Sequence, residues 1–181
     1  MIKAIGTALM VIGTCTAAAP ASAQDLFGPI SGGVGYQLTN RSIAGSDSVT
    51  FPLGFDVFVG APMTSSPWGI NADLSWNRHT DSSNGADVVD SILGIGAGPT
   101  YRPASTDSVV LQALIGIDHE SFSLGTVTSS SNAMMVQPGV IFMFPISDYH
   151  AFAGVHFRHV FGDQSANAFV FNVGIEFVPR K

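Results

Sequence analysis

A strict period of two runs through residues 168–177 (AFVFNVGIEF), close to the C-terminal end of the chain. From Phe169 to Phe177 every second residue is large and apolar, and the residues between them are smaller or polar and include Asn172 and Glu176. A period of two is the signature of a β-strand. One apolar face and one small polar face are typical of a strand that lies between lipid and a narrow polar lumen.

The same alternation returns in seven earlier stretches, and turn-rich segments separate them. An even number of such strands predicts an all-β fold, namely an eight-stranded antiparallel up-and-down transmembrane β-barrel. With 169–177 as the eighth, the predicted strands cover residues 28–39, 49–60, 68–78, 88–101, 109–118, 134–144 and 149–161.

Prolines interrupt the predicted strands at three positions. In the second strand the alternation places Val49, Phe51 and Leu53 on one apolar face, although Pro52 between them removes a ladder hydrogen bond. Pro99 and Pro138 raise the same question in the fourth and sixth strands. The strand register around these three prolines stays open at this point.

The composition limits the kind of surface that the chain can present. Hydrophobic residues make up 46% and charged residues only 11%, and the only lysines are Lys3 and Lys181. A soluble domain normally covers itself with charge. No apolar run after the N-terminus is long enough for a spanning helix. The net charge of −6 argues against nucleic acid as a partner.

The N-terminal residues 1–23 are predicted to be a cleaved secretory signal, with residues 24–181 forming the barrel. Lys3 precedes an apolar core, and Ala21-Ser22-Ala23 gives an A-x-A cleavage site. Lipoprotein processing at Cys15 is the alternative, but Thr14 before it fits poorly. Without the leader, Lys+Arg fall from 7 to 6 against 13 acids, giving −7, and no cysteine remains for a disulfide.

The connections between the predicted strands differ at the two ends of the barrel. Those after strands two, four and six are short and contain proline, as periplasmic turns do. Those near residues 40–48, 79–88 and 119–132 are more polar and mostly longer. We therefore predict that these three segments are the external loops.

The face opposite the apolar one carries glycine, small polar residues and scattered acids, but no lysine. This is a poor solvent surface but a plausible filling for an eight-stranded interior, which is only wide enough for side chains. The structural interpretation is a satisfied polar network, and the functional one is a gate or narrow ion path. The predicted lumen network consists of Asp56, Asp73, Asp118, His156, Arg158 and Glu176.

Aromatic residues on the apolar phase are predicted to mark the two water–lipid interfaces. Trp68 and Trp76 are separated by roughly 26 Å along a strand, or about 20 Å of depth after tilting. Such a spacing suits aromatic belts. The predicted interfacial aromatics are Tyr36, Trp68, Trp76, Tyr101, Tyr149, Phe169 and Phe177.

The run FRHVFGDQSANAFVFNVGIEF, residues 157–177, resembles the closing hairpin of the small outer-membrane β-barrel family, the porin-like and opacity-type proteins. The signal peptide and the glycine-rich opening strand add to the resemblance, which covers the whole mature chain as architecture. It implies location in the outer membrane of a Gram-negative bacterium, contact with its lipid and lipopolysaccharide, and insertion by the outer-membrane assembly machinery. Residues 178–181 after Phe177 depart from the usual aromatic end.

An enzyme is the principal alternative. Arg158-His159 resembles the lipid A deacylase family, whose barrel carries a His-x-Ser pair on its outer wall, and His159 falls on the lipid-facing phase. The position two residues on is Phe161, and Ser165 lies in the next turn, so the nucleophile is missing from the family position. We predict no catalytic residue, no cofactor and no metal, because the histidines lack ligand spacing.

The sequence therefore predicts a non-catalytic outer-membrane barrel with a structural, adhesive or weakly pore-forming role that depends on its external loops. Two alternatives stay open. One is the lipid-modifying enzyme, and the other is a secreted soluble barrel that binds a small apolar ligand.

Overall fold

A computed structural model describes residues 26–43, 48–83, 86–106, 108–147, 149–162 and 165–177. The predicted leader and residues 178–181 lie outside these ranges. The strands are β1 (Ser31–Ile43), β2 (Val49–Phe51), β3 (Leu53–Pro62), β4 (Trp68–Ser83), β5 (Ala86–Tyr101), β6 (Val109–Leu124), β7 (Val127–Ile146), β8 (Tyr149–Val160) and β9 (Ala166–Phe177).

These strands form one closed antiparallel barrel. β2 and β3 are two lengths of a single wall strand, so the wall has eight strands, and β1 pairs with β9 to close it. The predicted fold class is confirmed. In the part of the chain that is described, no helix is long and apolar enough to cross a membrane.

The register around the wall fixes the tilt of the strands. Gly32 of β1 pairs with a residue of β3, that residue lies in register with one of β4, and so on around the closed wall. This series of partners returns to β1 at Ser42, ten positions beyond Gly32. For eight strands this stagger corresponds to a tilt of about 40° and an interior that side chains can fill. The first and last described residues and three short turns lie at one end, called the turn end, and the hairpins lie at the other, called the hairpin end.

A β-bulge at Pro52 corrects one prediction. Tyr36 pairs with Phe55 and Thr39 pairs with Phe51, so three residues of one wall strand oppose two of β1. A bulge of one residue reverses the facing of everything beyond it. Phe51 is therefore 1% exposed on the lumen side, whereas Leu53 is 53% exposed on the outside, and the prediction that both share the apolar outer face was wrong.

The other two prolines leave the register unchanged. Pairing lapses beside Pro99 and between β7 and β8 at Pro138, but it resumes with the same offset on the far side. Proline has no N–H for the ladder, and a single missing bond does not require an inserted residue. The alternation predicted for these two strands therefore holds throughout.

Two of the predicted external loops are mostly strand. β4 and β5 extend to Ser83 and Ala86 within residues 79–88, and β6 and β7 cover nearly all of 119–132, with a turn at Gly125 (φ 58°). β1 also runs on to Ile43, while residues 44–47 lie outside the described ranges. Water contacts both faces of these extensions, so no apolar alternation marks them, although their backbones pair as below.

The two faces of the wall carry opposite kinds of side chain. On the outside, Ile95 is 60% exposed, and valine, leucine, isoleucine and phenylalanine are similarly exposed on other strands. On the inside, Ser75 and Asn77 are fully buried. An apolar exterior around a polar core is the reverse of a soluble carrier barrel, so the secreted soluble alternative was wrong.

Candidate functional site

A ring of polar side chains ends the apolar band on the outer surface, near the hairpin end. Each hairpin contributes one cross-strand pair to it. Between this ring and the turn end, the outward-facing residues of the strands are apolar or aromatic. We call these eight residues the polar collar, and its pairs are Asn40–Thr50, Arg78–Ser91, His119–Asn132 and His159–Asn167.

Hydrogen bonds join three of the four collar pairs. Asn40 Nδ2 donates to Thr50 Oγ1 at 2.9 Å. The Nδ1 atoms of His119 and His159 lie 2.8 Å from the Oδ1 atoms of their asparagine partners. With Nδ1 as the donor, each imidazole presents Nε2 away from its bond. The collar is thus an ordered polar boundary.

Aromatic side chains mark the other boundary, at the turn end. Trp68 packs on Tyr101 with ring centroids 5.0 Å apart, and Tyr149 packs on Phe177 at 6.4 Å. From Trp68 to Arg78 on the same strand is about 25 Å of height after tilting, which matches the apolar band of outer-membrane barrels.

The other predicted interfacial aromatics lie higher on the wall. Trp76 packs on Phe55 with ring centroids 5.3 Å apart, and Phe169 packs on Phe157 at 5.7 Å. Trp76 and Phe169 are the first outward-facing residues below the collar on their strands. Tyr36 lies nearer the middle of the band, and its hydroxyl donates to the carbonyl of Pro52. The hydroxyl of Tyr36 therefore bonds to the backbone of the bulge and does not mark an interface.

Arg158 is the centre of the lumen network. It is 2% exposed, and its guanidinium donates to three strands: to Gln137 Oε1 at 2.6 Å, to Ser75 Oγ at 3.0 Å and to Asp118 Oδ1 at 3.2 Å. The fixed fork of a guanidinium suits such convergent acceptors. The contacts span the lumen and link β4, β6, β7 and β8.

Gly94 makes room for this network. A Cβ atom built on it would lie 2.7 Å from both Asp118 Oδ1 and Ser75 Oγ, and 3.3 Å from an Arg158 nitrogen. Gly94 faces the lumen from β5, so any side chain there would compete with these groups for the same space.

A second chain of hydrogen bonds runs across the lumen in one direction. Asn71 donates to Gln112 at 3.1 Å, Gln112 to His156 Nδ1 at 3.2 Å, His156 Nε2 to Asn172 at 3.2 Å, and Asn172 to Asp56 at 3.4 Å. This order requires the neutral Nε2–H form of His156. The chain crosses the middle of the lumen, and at its two ends Asn71 Oδ1 and Asp56 Oδ1 are buried without a described partner.

Among the described contacts, two of the predicted lumen residues, Asp73 and Glu176, bond neither to the Arg158 network nor to this chain, and Asp56 joins the chain through Oδ2 alone. Asp73 is half-buried on the inner phase of β4. Glu176 belongs to a separate cluster at the turn end, where it accepts from Ser31 at 2.6 Å and lies 3.3 Å from His150 and 4.0 Å from Arg102. Asp56 Oδ1 is buried without a described partner.

Packed apolar side chains close the lumen on both sides of the polar centre. Towards the turn end, Phe58 and Phe152 meet at 5.3 Å beside Val110, Ile141 and Met143. Towards the hairpin end, Met135, Val160, Ala166 and Ala133 pack together. A cavity of about 60 Å³ near the turn end has room for only a few waters.

The mouth at the hairpin end holds an ion pair that sequence reasoning missed. Arg41 on β1 reaches Glu120 on β6 at 2.7 Å, and Arg41 is buried. Both residues fell in or beside predicted loops, so they were not assigned to the inner phase. The neutral partners Ser75, Gln137 and Asn172 were missed because only charged side chains were selected, although the alternation places them inside.

The surroundings of His159 bear on the enzyme alternative. Its Nδ1 is bonded to Asn167, and its ring packs edge-on against Phe161 at 4.5 Å. Within the described ranges, no group of three or more histidine, cysteine or acidic side chains is placed to hold a metal.

Comparisons with known proteins agree with this geometry. The family model of the outer membrane protein β-barrel domain matches residues 7–177. The chain belongs to this family. As an outer-membrane barrel of Gram-negative type, it has its turn end in the periplasm and its hairpin end outside the cell. The comparison with curated proteins gave no match.

Solved structures show the same fold at low sequence identity. Ail, the attachment invasion locus protein of Yersinia pestis, is 20% identical, with 83% of this chain and 99% of Ail covered and a TM-score of 0.63. Neisserial surface protein A is 16% identical, with 82% of this chain and 96% of that protein covered and a TM-score of 0.55. A major outer membrane protein from Thermus thermophilus is 13% identical, with 82% of this chain and 99% of that protein covered and a TM-score of 0.51.

Proposed function

We propose that this chain is a non-catalytic, non-conducting outer-membrane barrel whose role is structural or adhesive and is exerted by its extracellular strand ends. The closed lumen is the observation that carries the proposal. Apolar clusters lie on either side of the Arg158 network, and the inner side chains that form them and the network are mostly buried, which supports a lumen plugged by its own side chains.

Planar-bilayer recordings test the closed lumen. Folded protein at high salt is expected to give no single-channel steps, because the polar centre is plugged by its own side chains. A heat-denatured sample controls for detergent artefacts. Reproducible steps from the folded form alone would show that the lumen conducts, and the pore-forming role would then replace the proposed one.

The absence of a nucleophile supports the non-catalytic proposal. The imidazole of His159 is bonded to an asparagine and packs edge-on against a phenylalanine, and no hydroxyl or thiol is described as bonded to it. Mass spectrometry of lipid A from cells with wild-type protein or His159→Ala tests this. Identical spectra are expected, and loss of a modification in the variant would establish the enzyme.

The collar supports lipopolysaccharide as the lipid partner. Arg78, His119 and His159 face outward at the level where the apolar band ends on the extracellular side. Anionic headgroup phosphates would lie at this height, and arginine and protonated imidazole can donate to them.

We also propose that residues 1–23 direct export and that the outer-membrane assembly machinery inserts the barrel. The A-x-A site before Gln24 supports the first proposal, and the aromatic closing strand supports the second. N-terminal sequencing of protein from outer membranes is expected to begin at Gln24. A start at Met1 or a lipid on Cys15 would contradict it.

Charge separates this chain from one structural neighbour. Ail has been solved in complex with the heparin analogue sucrose octasulfate, a polyanion. Beyond the collar, β4 to β7 here carry Asp81, Asp87, Asp90 and Glu120 and no lysine or arginine. Because like charges repel, we propose that an adhesive role here does not involve sulfated polysaccharide.

Shortening one hairpin tests the extracellular role. Residues 121–130 can be replaced by an Asn-Gly turn that joins Glu120 to Ser131, since these residues are cross-strand partners. Cells that display this variant are expected to adhere less to immobilised proteins than cells with wild-type barrel at equal surface level. Unchanged adherence would contradict the adhesive role.

A further inference from the structure

A cavity of about 60 Å³ lies at the turn end of the lumen. Its lining extends from Ser66 and Trp68, in and beside the turn between β3 and β4, inward to Asn71 and Gln112. One water needs roughly 10–15 Å³ of such volume, so the cavity has room for about four to six non-hydrogen atoms. Because the turn end lies in the periplasm, a molecule that fills this cavity would come from that compartment.

An acceptor without a donor lies at the inner end of the cavity. Asn71 is 7% exposed, its Nδ2 donates to Gln112, and its Oδ1 is buried without a described partner. Gly60, which also lines the cavity, leaves an open position beside this oxygen. A Cβ atom built on Gly60 would lie 3.4 Å from Asn71 Oδ1 and 3.5 Å from Ser31 Oγ. A buried carbonyl oxygen without a donor is costly, so this position calls for a group that donates.

A carboxylate lies next to this open position. Glu176 lines the cavity and is 3% exposed, and its Oε1 accepts a hydrogen bond from Ser31 Oγ at 2.6 Å, which leaves the lone pairs of that hydroxyl for another donor. His150 Nδ1 lies 3.3 Å from the other carboxylate oxygen. Arg102 Nη2 lies 4.0 Å from Oε1, and its side chain is 39% exposed. This contact is too long for a hydrogen bond and is screened by water, so a further cation can approach Glu176.

Apolar side chains form much of the remaining wall. Phe58, Val110 and Met143 line the cavity and belong to the apolar cluster that closes the lumen at this end. Carbon atoms of a ligand lose no hydrogen bonds against such a wall, whereas water does. An ammonium group has three donors and no acceptor, which suits the oxygens beside Gly60. A metal ion fits less well, because within the described ranges no three histidine, cysteine or acidic side chains are placed to hold one.

We propose that this cavity binds a small primary aliphatic amine from the periplasm. The ammonium group lies at the open position beside Gly60 and donates to Asn71 Oδ1 and Ser31 Oγ, while Glu176 supplies the compensating charge. A chain of about three to five carbon atoms fills the remaining volume against the apolar wall. This site is at the opposite end of the barrel from the proposed extracellular role and does not depend on it.

Titration of the folded barrel in lipid nanodiscs, followed by NMR, tests this site. The probe is n-butylamine, whose size matches the cavity, and sodium butyrate is the control of opposite charge. The side-chain amide resonances of Asn71 are expected to shift with a dissociation constant on the order of 1 mM, because so small a ligand makes few contacts. Butyrate should leave them unchanged. Equal binding of butyrate, or binding of butylamine with no shift at Asn71, would overturn the proposal.

Substitutions in the cavity test the position of the ammonium group. Gly60→Ala puts a methyl group at the open position, and the barrel should fold with unchanged heat-modifiability because no contact of the new Cβ is shorter than 3.4 Å. We expect butylamine to bind about tenfold more weakly to it and to Glu176→Gln, which keeps the shape but removes the charge. Asp87→Asn removes one exposed charge at the hairpin end and should change the affinity less than about twofold. Wild-type affinity in Gly60→Ala would place the amine elsewhere and contradict the site.

Two further variants test competing occupants. Arg102→Gln removes the cation that faces Glu176 Oε1, so butylamine should bind about threefold more tightly. Weaker binding would show that the arginine holds an anionic ligand there, which contradicts the amine. Lys181 follows Phe177 by four residues in the sequence and carries an ammonium group of its own. If Lys181→Gln bound butylamine about tenfold more tightly, the lysine of the chain itself would occupy the cavity, and the proposal of a periplasmic ligand would be wrong.

Discussion

Arg158 Nη1 lies 3.2 Å from Asp118 Oδ1, and both side chains are buried in the lumen. The pair joins β8 to β6 across the interior, so it connects wall strands that are not neighbours in the sheet. Its carboxylate and guanidinium satisfy one another where water is excluded.

Removal of one partner of this pair should destabilise the barrel strongly. Arg158→Met leaves Asp118 buried and unpaired, which costs about 3–5 kcal/mol of unfolding free energy. The double variant Arg158→Met/Asp118→Leu removes both charges and should recover a large part of that loss. Urea unfolding from lipid vesicles measures both. Equal instability of the single and double variants would mean that the ion pair is not the cause.

Gly94→Ala should disturb the same network from the opposite wall. Its Cβ would lie 2.7 Å from Asp118 Oδ1 and Ser75 Oγ, so these atoms must shift, at a cost of about 1–3 kcal/mol. Gly60→Ala is a matched control, because its nearest contact would be 3.4 Å and should cost under about 0.5 kcal/mol. The two thermal midpoints in the same vesicles give the comparison, and similar values would argue against crowding.

The alternation of residues predicted the eight wall strands and which residues line the lumen over most of their length. It failed at Pro52, because a bulge depends on how two strands fit together and not on either strand alone. It also failed beyond the collar. There both faces of each strand contact water, so the sequence does not alternate between apolar and polar residues as the prediction requires. Which lumen groups bond to one another, such as Arg158 to Gln137, depends on the stagger of the barrel.

The bulge determines which side chains of its strand face the lipid, and this can be tested. In a background with Trp68→Phe and Trp76→Phe, Leu53→Trp should be quenched by brominated lipid, and Phe51→Trp should not, because only Leu53 faces outward. Fluorescence of the two refolded variants measures the difference. Comparable quenching at both positions would mean that the strand continues without a bulge.

The collar makes a prediction about depth. Ile95 and Ser91 both face outward on β5, but Ile95 lies within the apolar band and Ser91 in the collar. Ile95→Arg should cost about 2–4 kcal/mol of unfolding free energy and Ser91→Arg about 0–1 kcal/mol. Equilibrium unfolding in vesicles provides both values. A cost at Ser91 as large as that at Ile95 would place the membrane boundary further out.

The pairing of β1 with β9 has a consequence for biogenesis. Gly32 pairs with Phe177, so the first strand finds its second neighbour only when nearly the whole chain is available. Such distant contacts make closure a late step. Until then the growing sheet exposes two open edges, which attract other unfolded chains. A chain that ends before Ala166 would never lose those edges, and such fragments should be cleared by periplasmic proteases.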